Sequence, residues 1–279
     1  MIEEQRGTSV AENLLEDLGF DSLPILPAEI VRAIDSDDFR VVMEHKNFSS
    51  DRILGKAEGN SHGALIYVNQ NVSDPGRLRF TEAHEVGHVC MHIMEQTKMS
   101  FECGSKELSN PFDDPVEKEA NGFASGLLLP QRLICGLTDD EVTWSNIRKI
   151  SSECEASLEA TYRRVSILDK SPTAFVIHKD GEFRRFVPST NFEFYIERSP
   201  LSSAQKALCT DVTEQSYPSS FDTVDASEWV NPYFKGMTLS KIYSSSIILN
   251  DGFTYSIICY DDDCFEEDDD SLSIDNLNF

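Results

Sequence analysis

The sequence lacks the features of a membrane-spanning or exported protein. No stretch approaches the ~20 consecutive apolar residues that a helical membrane span needs. The first 20 residues contain no basic region followed by an apolar one, so we expect no signal peptide. The seven cysteines are scattered and form no CxxC pair, which is typical of reduced thiols rather than of a disulfide framework. Together these absences predict a cytoplasmic protein.

Basic residues are scarce as well. Lys and Arg number 24 against 49 Asp and Glu, which gives a net charge of −25 over 279 residues. Such a polyanion repels nucleic acid and anionic lipid, so we expect neither direct nucleic-acid binding nor membrane association. Eight of the acids lie in residues 261–270, which we interpret as a solvated tail or loop. Binding of a cation or of a basic partner is the alternative.

Enough apolar material is present for a hydrophobic core, since 40% of the residues are hydrophobic and 10% are aromatic. Hydrophobic periodicity predicts an α+β fold. The predicted helices span 8–34 with a break at Pro24 and Pro27, 78–94, 116–129, 146–154 and 158–168, and the predicted strands span 40–44 and 64–69. Turn residues predict hairpins at 173–188 and 241–261. We therefore predict a core (1–145), a helical segment resembling a helix-turn-helix (146–170) and a small β-rich domain (171–279).

The segment Thr81–His88 carries the pattern His-Glu-x-x-His within a predicted helix. Residues four apart lie on one helix face, so His84 and His88 can present imidazole nitrogens to the same metal ion. Zinc lowers the pKa of a water ligand to ~7, and the neighbouring Glu85 carboxylate can accept its proton as the water attacks a carbonyl. The motif therefore predicts a zinc hydrolase with Glu85 as catalytic base, although Mn²⁺ or Fe²⁺ also suits such ligands.

A hydrolytic zinc site needs a third protein ligand and one open position, and the next predicted helix offers carboxylates. Glu117 and Asn121 are four apart and share a helix face. If Glu117 binds the metal, Asn121 can accept a hydrogen bond from a ligand imidazole and fix its tautomer. Glu119 lies about 200° round the helix from Glu117 and is the alternative ligand. His92 continues the column of His88, but a tetrahedral site disfavours a third histidine so far along the axis, so we expect it to pack nearby.

The predicted strand before the motif helix ends in Tyr67, Val68 and Asn69. An exposed strand beside a metallopeptidase motif can pair with the backbone of an extended substrate, with little demand on the substrate's sequence. We expect these residues to form such a substrate strand, and an interior strand is the alternative. Tyr67 is also a candidate for stabilising the oxyanion.

The two motifs at this separation resemble those of the ImmA/IrrE family of metallo-endopeptidases. The matching segments are the strand ending at Val68-Asn69, the motif helix (79–92), residues 117–124, residues 127–130 and the later helix (156–165). The resemblance implies a zincin-like α+β core. It also implies that His84, His88 and Glu117 hold the zinc ion and that Glu85 is the base.

The resemblance further implies a regulatory role. Several family members cleave a helix-turn-helix transcriptional repressor and so relieve repression in mobile-element transfer, prophage or stress responses. Some carry a C-terminal sensor-like domain resembling a GAF fold, and the resemblance implies that residues 171–279 are a counterpart. We therefore predict a zinc endopeptidase whose protein substrate is such a repressor. The alternatives are a non-proteolytic binding partner of a repressor or toxin–antitoxin system, which the intact Glu85 disfavours, and a hydrolase of a small amide.

Overall fold

A computed structural model describes residues 2–50, 52–104, 114–138, 141–212 and 217–266. The fold is α+β, with helices concentrated in the first part of the chain and strands in the last. The chain divides into two compact units. Unit 1 contains residues 1–140 and 146–164, and unit 2 contains residues 141–145 and 165–279.

The helices of unit 1 follow the apolar periodicity of the sequence. They are α1 (Ile2–Asp17), α2 (Pro27–Ile34), α3 (Pro75–His88), α4 (Pro115–Leu128) and α5 (Gln131–Ile134), and a π-helical turn (Val89–Ile93) continues α3. Two further helices, α6 (Trp144–Cys154) and α7 (Leu158–Leu168), contain residues of both units. The helix expected over 78–94 is therefore an α-helix that ends in one wider turn.

The sheet of unit 1 has the strand order β1-β3-β2-β4. Its strands are β1 (Arg40–Lys46), β2 (Ile53–Asn60), β3 (Gly63–Asn69) and β4 (Ser100–Gly104). β3 pairs in parallel with β1 and antiparallel with β2, so its backbone has partners on both sides. The expectation that Tyr67, Val68 and Asn69 form an exposed substrate strand is therefore wrong, because an interior strand has no free edge. Among the described strands β4 pairs with β2 alone and forms an edge of the sheet.

Helices α1 and α4 approach each other so closely that their contact needs glycine. A Cβ atom on Gly122 would lie 2.7 Å from the Cα atom of Glu4, and one on Gly7 would lie 2.7 Å from the backbone nitrogen of Phe123. Both separations are shorter than the distances at which real side chains pack. A Cβ atom on Gly87 of α3 would lie 3.1 Å from the side chain of Phe123, which is a tight contact. Helix α4 is thus in close contact with both the N-terminal helix and the motif helix.

Unit 2 is built on a sheet with the order β6-β5-β12-β11-β7, in which β8 also pairs with β11. Its elements are β5 (Thr173–Lys179), β6 (Glu182–Pro188), α8 (Ser203–Ala207), β7 (Cys209–Asp211), β8 (Asp222–Asp225), β9 (Tyr233–Phe234), β10 (Met237–Thr238), β11 (Lys241–Ile248) and β12 (Phe253–Cys259). Both expected hairpins are confirmed, since β5 pairs with β6 and β11 pairs with β12. Gly181 and Gly252 have φ values of 82° and 83° in the two turns, a left-handed backbone that glycine adopts without a Cβ penalty.

Three expectations of the sequence are not decided by this architecture. The three-part division at residues 145 and 170 and the GAF-like sensor in 171–279 stay predictions. Residues 267–270 of the acidic segment lie outside the described residues, whereas Asp262–Cys264 form a short 3-10 turn. Within the described part of the chain, no helix is both long enough and apolar enough to cross a membrane.

Candidate metal centre

The motif helix α3 begins at a cap that the sequence encodes. The Asp74 side chain accepts a backbone hydrogen bond at 2.6 Å, and Pro75 occupies the first helical position, where its missing N–H costs nothing. From this start the helix carries His84, Glu85 and His88 into the interior, each with 0% of its surface exposed. Three polar side chains are thus buried within five residues, which requires partners for them.

Helix α4 supplies some of the partners of these buried side chains. Like α3, it begins at an aspartate cap followed by proline. Asp114 accepts a backbone hydrogen bond at 3.0 Å, and Pro115 follows as the first helical residue. One turn apart on this helix, Glu117 and Asn121 both reach the imidazole of His84. The Asn121 oxygen Oδ1 lies 2.8 Å from His84 Nδ1, which leaves Nε2 of His84 directed at the Glu117 carboxylate.

Four buried donor atoms converge between α3, α4 and β4, and they belong to His84, His88, Cys103 and Glu117. His84 Nε2 lies 3.0 Å from His88 Nε2, 3.0 Å from Cys103 Sγ and 3.2 Å from Glu117 Oε2. His88 Nε2 lies 3.4 Å from Cys103 Sγ and 3.6 Å from Glu117 Oε1. Cys103 Sγ lies 3.7 Å from Glu117 Oε2. All four groups can therefore contact a single ion. We call them the donor cluster.

Cys103 is the member of the cluster that sequence reasoning missed. It lies on β4, which is not among the strands predicted from the sequence, and its side chain is 0% exposed. The signal that could have found it is the alternation within β4, where Phe101 and Cys103 are buried while Ser100 and Glu102 are exposed. Phe101 also stacks on the ring of His88, with the ring centroids 4.0 Å apart.

The Glu85 carboxylate is fully buried, and neither of its oxygens has a hydrogen-bond partner within the described residues. The carboxylate lies against Gly55 of β2, where a Cβ atom would be 2.8 Å from Glu85 Cγ. Gly55 pairs across the sheet with Cys103, and paired residues of neighbouring strands project to the same face. Glu85 thus fills the space of the missing Gly55 side chain, next to the donor cluster.

Burial and hydrogen bonding together set the protonation of Glu85, His88 and Glu117. Desolvation raises the pKa of Glu85 well above its ordinary value and lowers the pKa of His88 to about 3. For Glu117, burial alone would raise the pKa, but the hydrogen bonds with His84 and His88 outweigh it and hold the pKa well below its usual range. The cluster therefore presents neutral imidazole at His88 and an ionised carboxylate at Glu117, the forms in which these groups bind metals.

Glu119 and His92, the two residues weighed as alternative ligands, form a chain behind the donor cluster. His92 Nδ1 lies 3.2 Å from His88 Nδ1, and His92 Nε2 lies 3.0 Å from Glu119 Oε2. Glu119 in turn accepts a hydrogen bond from Arg6 of α1 at 2.6 Å. Glu117, not Glu119, therefore faces the Nε2 atoms of the motif histidines, and His92 contacts a ligand candidate without joining the cluster.

The residues expected in a substrate strand have other contacts. Lys46 Nζ lies 3.0 Å from the ring centroid of Tyr67. Asn69 is 1% exposed, and its side chain bonds the backbone of Ile53 and of Asn71 at 2.9 Å and 3.0 Å. These contacts join β3 to its neighbours and to the following turn. Tyr67 and Asn69 therefore have a structural role.

The donor cluster suits a divalent metal ion of the zinc type. Zinc takes imidazole nitrogen, thiolate sulfur and carboxylate oxygen in protein sites, and all three donor types are present. The unpartnered, buried carboxylate of Glu85 is a second indication, because such a group costs free energy unless something polar meets it. The donor cluster and the Glu85 carboxylate therefore fit a divalent metal ion with a water molecule beside it.

Comparison with known proteins agrees with this chemistry. Residues 38–166 match the family model Peptidase_M78, described as the IrrE N-terminal-like domain. Residues 38–166 are therefore a domain of the ImmA/IrrE family of metallopeptidases. The matched M78 domain contains the whole donor cluster and Glu85, whereas α1 with Arg6 lies outside it.

Other comparisons bear on the fold alone. No curated protein matches the chain. A solved structure, that of a Mycobacterium tuberculosis transcriptional regulator, is similar to 91% of this chain and to 75% of that one, with a TM-score of 0.53 and 14% sequence identity. At this identity the likeness shows a shared fold alone. It extends beyond the M78 domain, because 91% of the chain includes most of unit 2.

Proposed function

We propose that the chain is a zinc-dependent endopeptidase with a zincin-like active site in its M78 domain. His84, His88 and Glu117 hold the metal ion, and Glu85 is the catalytic base. The observation that carries the proposal is the buried Glu85 carboxylate, which lies beside the donor cluster with neither oxygen in a hydrogen bond among the described residues. A site that served structure alone would have no use for such a carboxylate, because leaving it unpartnered costs stability.

The chemistry divides between the metal and the chain's own residues. A zinc ion bound at the cluster would polarise a peptide carbonyl and acidify water. Glu85 accepts the proton of the attacking water and then passes it to the leaving amine. Burial raises the pKa of the Glu85 carboxyl group, which makes its carboxylate a stronger base than an exposed one. Asn121 and His92 orient the imidazoles of His84 and His88 by holding their Nδ1 atoms.

The proposed substrate is a helix-turn-helix transcriptional repressor. Membership of the ImmA/IrrE family supports it, and the transcriptional regulator of similar fold is consistent with a place in gene control. The net charge of −25 also suits a partner with a basic, DNA-binding surface. The edge strand β4, which borders the donor cluster, takes the role expected of Tyr67–Asn69, because among the described strands it pairs on one side alone and an extended peptide can pair with the other side.

The decisive experiment compares Glu85→Gln with Glu82→Gln. Both changes replace a carboxylate by an amide on helix α3, but Glu82 bonds His45 at 2.7 Å, away from the donor cluster. Each protein is loaded with zinc and incubated with a helix-turn-helix repressor encoded beside its gene, with and without a chelator. Zinc content and cleavage products are then measured. We expect Glu82→Gln to cleave like the wild type and Glu85→Gln to retain zinc without cleaving.

Three outcomes would contradict the proposal. Unchanged cleavage by Glu85→Gln removes Glu85 as the base. If the wild type and Glu85→Gln relieve repression of a reporter equally, the chain acts by binding its partner, and proteolysis is not its function. Cleavage that survives complete removal of zinc excludes a metallopeptidase mechanism.

A further inference from the structure

We propose that Cys103 is a fourth protein ligand of the metal ion, and that it keeps the peptidase latent until the thiolate leaves. This inference rests on the proposed function, because latency has meaning only for a hydrolytic site. It concerns a residue that plays no part in the mechanism above. Its basis is the position of one sulfur atom relative to the other three donors.

The donor cluster has the dimensions of a tetrahedral coordination shell. Metal–ligand bonds of ~2.0–2.3 Å in a tetrahedron imply donor–donor separations of ~3.3–3.8 Å. The six separations among the four groups range from 3.0 Å to 3.7 Å, where the nearer carboxylate oxygen of Glu117 is taken for each pair, Oε1 towards His88 and Oε2 towards His84 and Cys103. Cys103 Sγ accounts for three of the six, at 3.0, 3.4 and 3.7 Å. The Cys103 sulfur therefore occupies the fourth corner of the tetrahedron. A small outward shift of the donor atoms would make room for a metal ion at its centre.

Charge favours the same arrangement. A divalent ion with one thiolate and one carboxylate is electroneutral, and a buried group of charges is tolerated when it is paired in this way. Cys103 is 0% exposed, so an unpaired thiolate charge at this position would be costly, and a cation beside it removes that cost.

A fourth protein ligand changes what the site can do. Structural zinc sites have four protein ligands, whereas catalytic sites keep one position for water or substrate. With the Cys103 sulfur bound, that position is filled. In that state the site holds no water for Glu85 to deprotonate. The Glu85 carboxylate itself is already in position next to Gly55, the cross-strand partner of Cys103.

The position of Cys103 on β4 explains how the site can open. Within the described strands β4 is paired on one side alone, with β2, so it moves at a lower cost than an interior strand. The three other ligands lie on α3 and α4, which pack closely through Gly87 and Phe123. A shift of β4, for example when a substrate segment binds its free edge, would therefore remove one ligand and leave three in place.

The first test uses Co²⁺ as a spectroscopic probe in the full-length protein. Thiolate bound to Co²⁺ produces a sulfur-to-metal charge-transfer band in the near ultraviolet. We expect the band in the wild type and its loss in Cys103→Ser and Cys103→Ala, both of which should still bind Co²⁺ through the other three ligands. Cys154→Ala is the matched control, because Cys154 is equally buried but lies outside the cluster. A wild-type spectrum without the band overturns the proposal.

The second test measures latency. Zinc-loaded Cys103→Ala should cleave the repressor faster than the wild type, by about tenfold or more if fewer than one site in ten is open at rest. Equal rates in the two proteins overturn latency even if the band is present. If no variant cleaves any substrate, the proposed peptidase function fails, while the Co²⁺ band still decides whether Cys103 is a ligand. Circular dichroism of Cys103→Ser, whose side chain is nearly isosteric, separates loss of the ligand from loss of the fold.

Discussion

Substitution of Gly55 by alanine tests whether strand β2 determines the position of the Glu85 carboxylate, the proposed catalytic base. The added methyl group would lie 2.8 Å from Glu85 Cγ and 2.9 Å from Glu85 Cδ. Carbon atoms in contact are ~3.5–4.0 Å apart, so the Glu85 side chain must move by about 0.7–1 Å. The movement affects the base and not the ligands, because the three nearest atoms to the new methyl group all belong to Glu85.

The expected effect is large on catalysis and small on metal binding. A misplacement of about 1 Å can cost ~100-fold in rate, so we expect kcat/KM to fall by about 10–100-fold. Overpacking of a buried site costs roughly 1–3 kcal/mol, which is partly offset because alanine is more favourable than glycine in a strand by ~0.5–1 kcal/mol. The net loss in the free energy of unfolding should therefore be about 0–2 kcal/mol.

The assay measures repressor cleavage, zinc affinity and urea unfolding on the same preparations. Gly136→Ala is the matched control, because a Cβ atom there meets nothing within 4 Å. We expect Gly136→Ala to behave like the wild type in all three measurements. Full activity of Gly55→Ala would refute the reasoning, since it would mean that Glu85 does not need its present position. A parallel loss of zinc affinity would refute the separation between base and ligands.

Two further predictions concern the ligands and the chain behind them. Glu117→Gln should weaken zinc binding by more than about 100-fold, because an amide replaces an ionised ligand, and affinity equal to the wild type in a chelator competition would exclude Glu117 as a ligand. Arg6→Met removes the partner of Glu119, which bonds His92 and through it His88. Because the Arg6 side chain is 49% exposed, the pair contributes at most ~1 kcal/mol, so zinc affinity should fall by no more than about fivefold. A larger fall would mean that α1 holds the site more tightly than its exposed ion pair suggests.

The helices and hairpins were predictable because their signals are local. In α3 and α4, Asp74-Pro75 and Asp114-Pro115 encode the start of each helix, and apolar periodicity encodes its length. The turns around Gly181 and Gly252 are equally local, since glycine there permits a positive φ. Each of these features depends on residues within about one turn or one hairpin of each other.

The sheet of unit 1 was less accessible to prediction. β4 is five residues long and pairs with β2, whose residues 53–58 precede it by more than 40 positions. Neither strand has a long apolar run, and Gly55 and Gly59 weaken the signal of β2. For this reason the order β1-β3-β2-β4 was not foreseen, and neither was Cys103 beside the histidines.

By itself, the sequence determined which side chains share a helix face. His84 with His88, and Glu117 with Asn121, are four residues apart, and the pitch of the α-helix brings such pairs together wherever the helix lies. The tertiary structure alone decided that β3 is interior, that β4 is the edge, and that Cys103 lies 3.0 Å from His84 Nε2. The physical reason is that strand pairing joins residues distant along the chain, so the order of a sheet follows from the packing of the whole unit rather than from any local pattern.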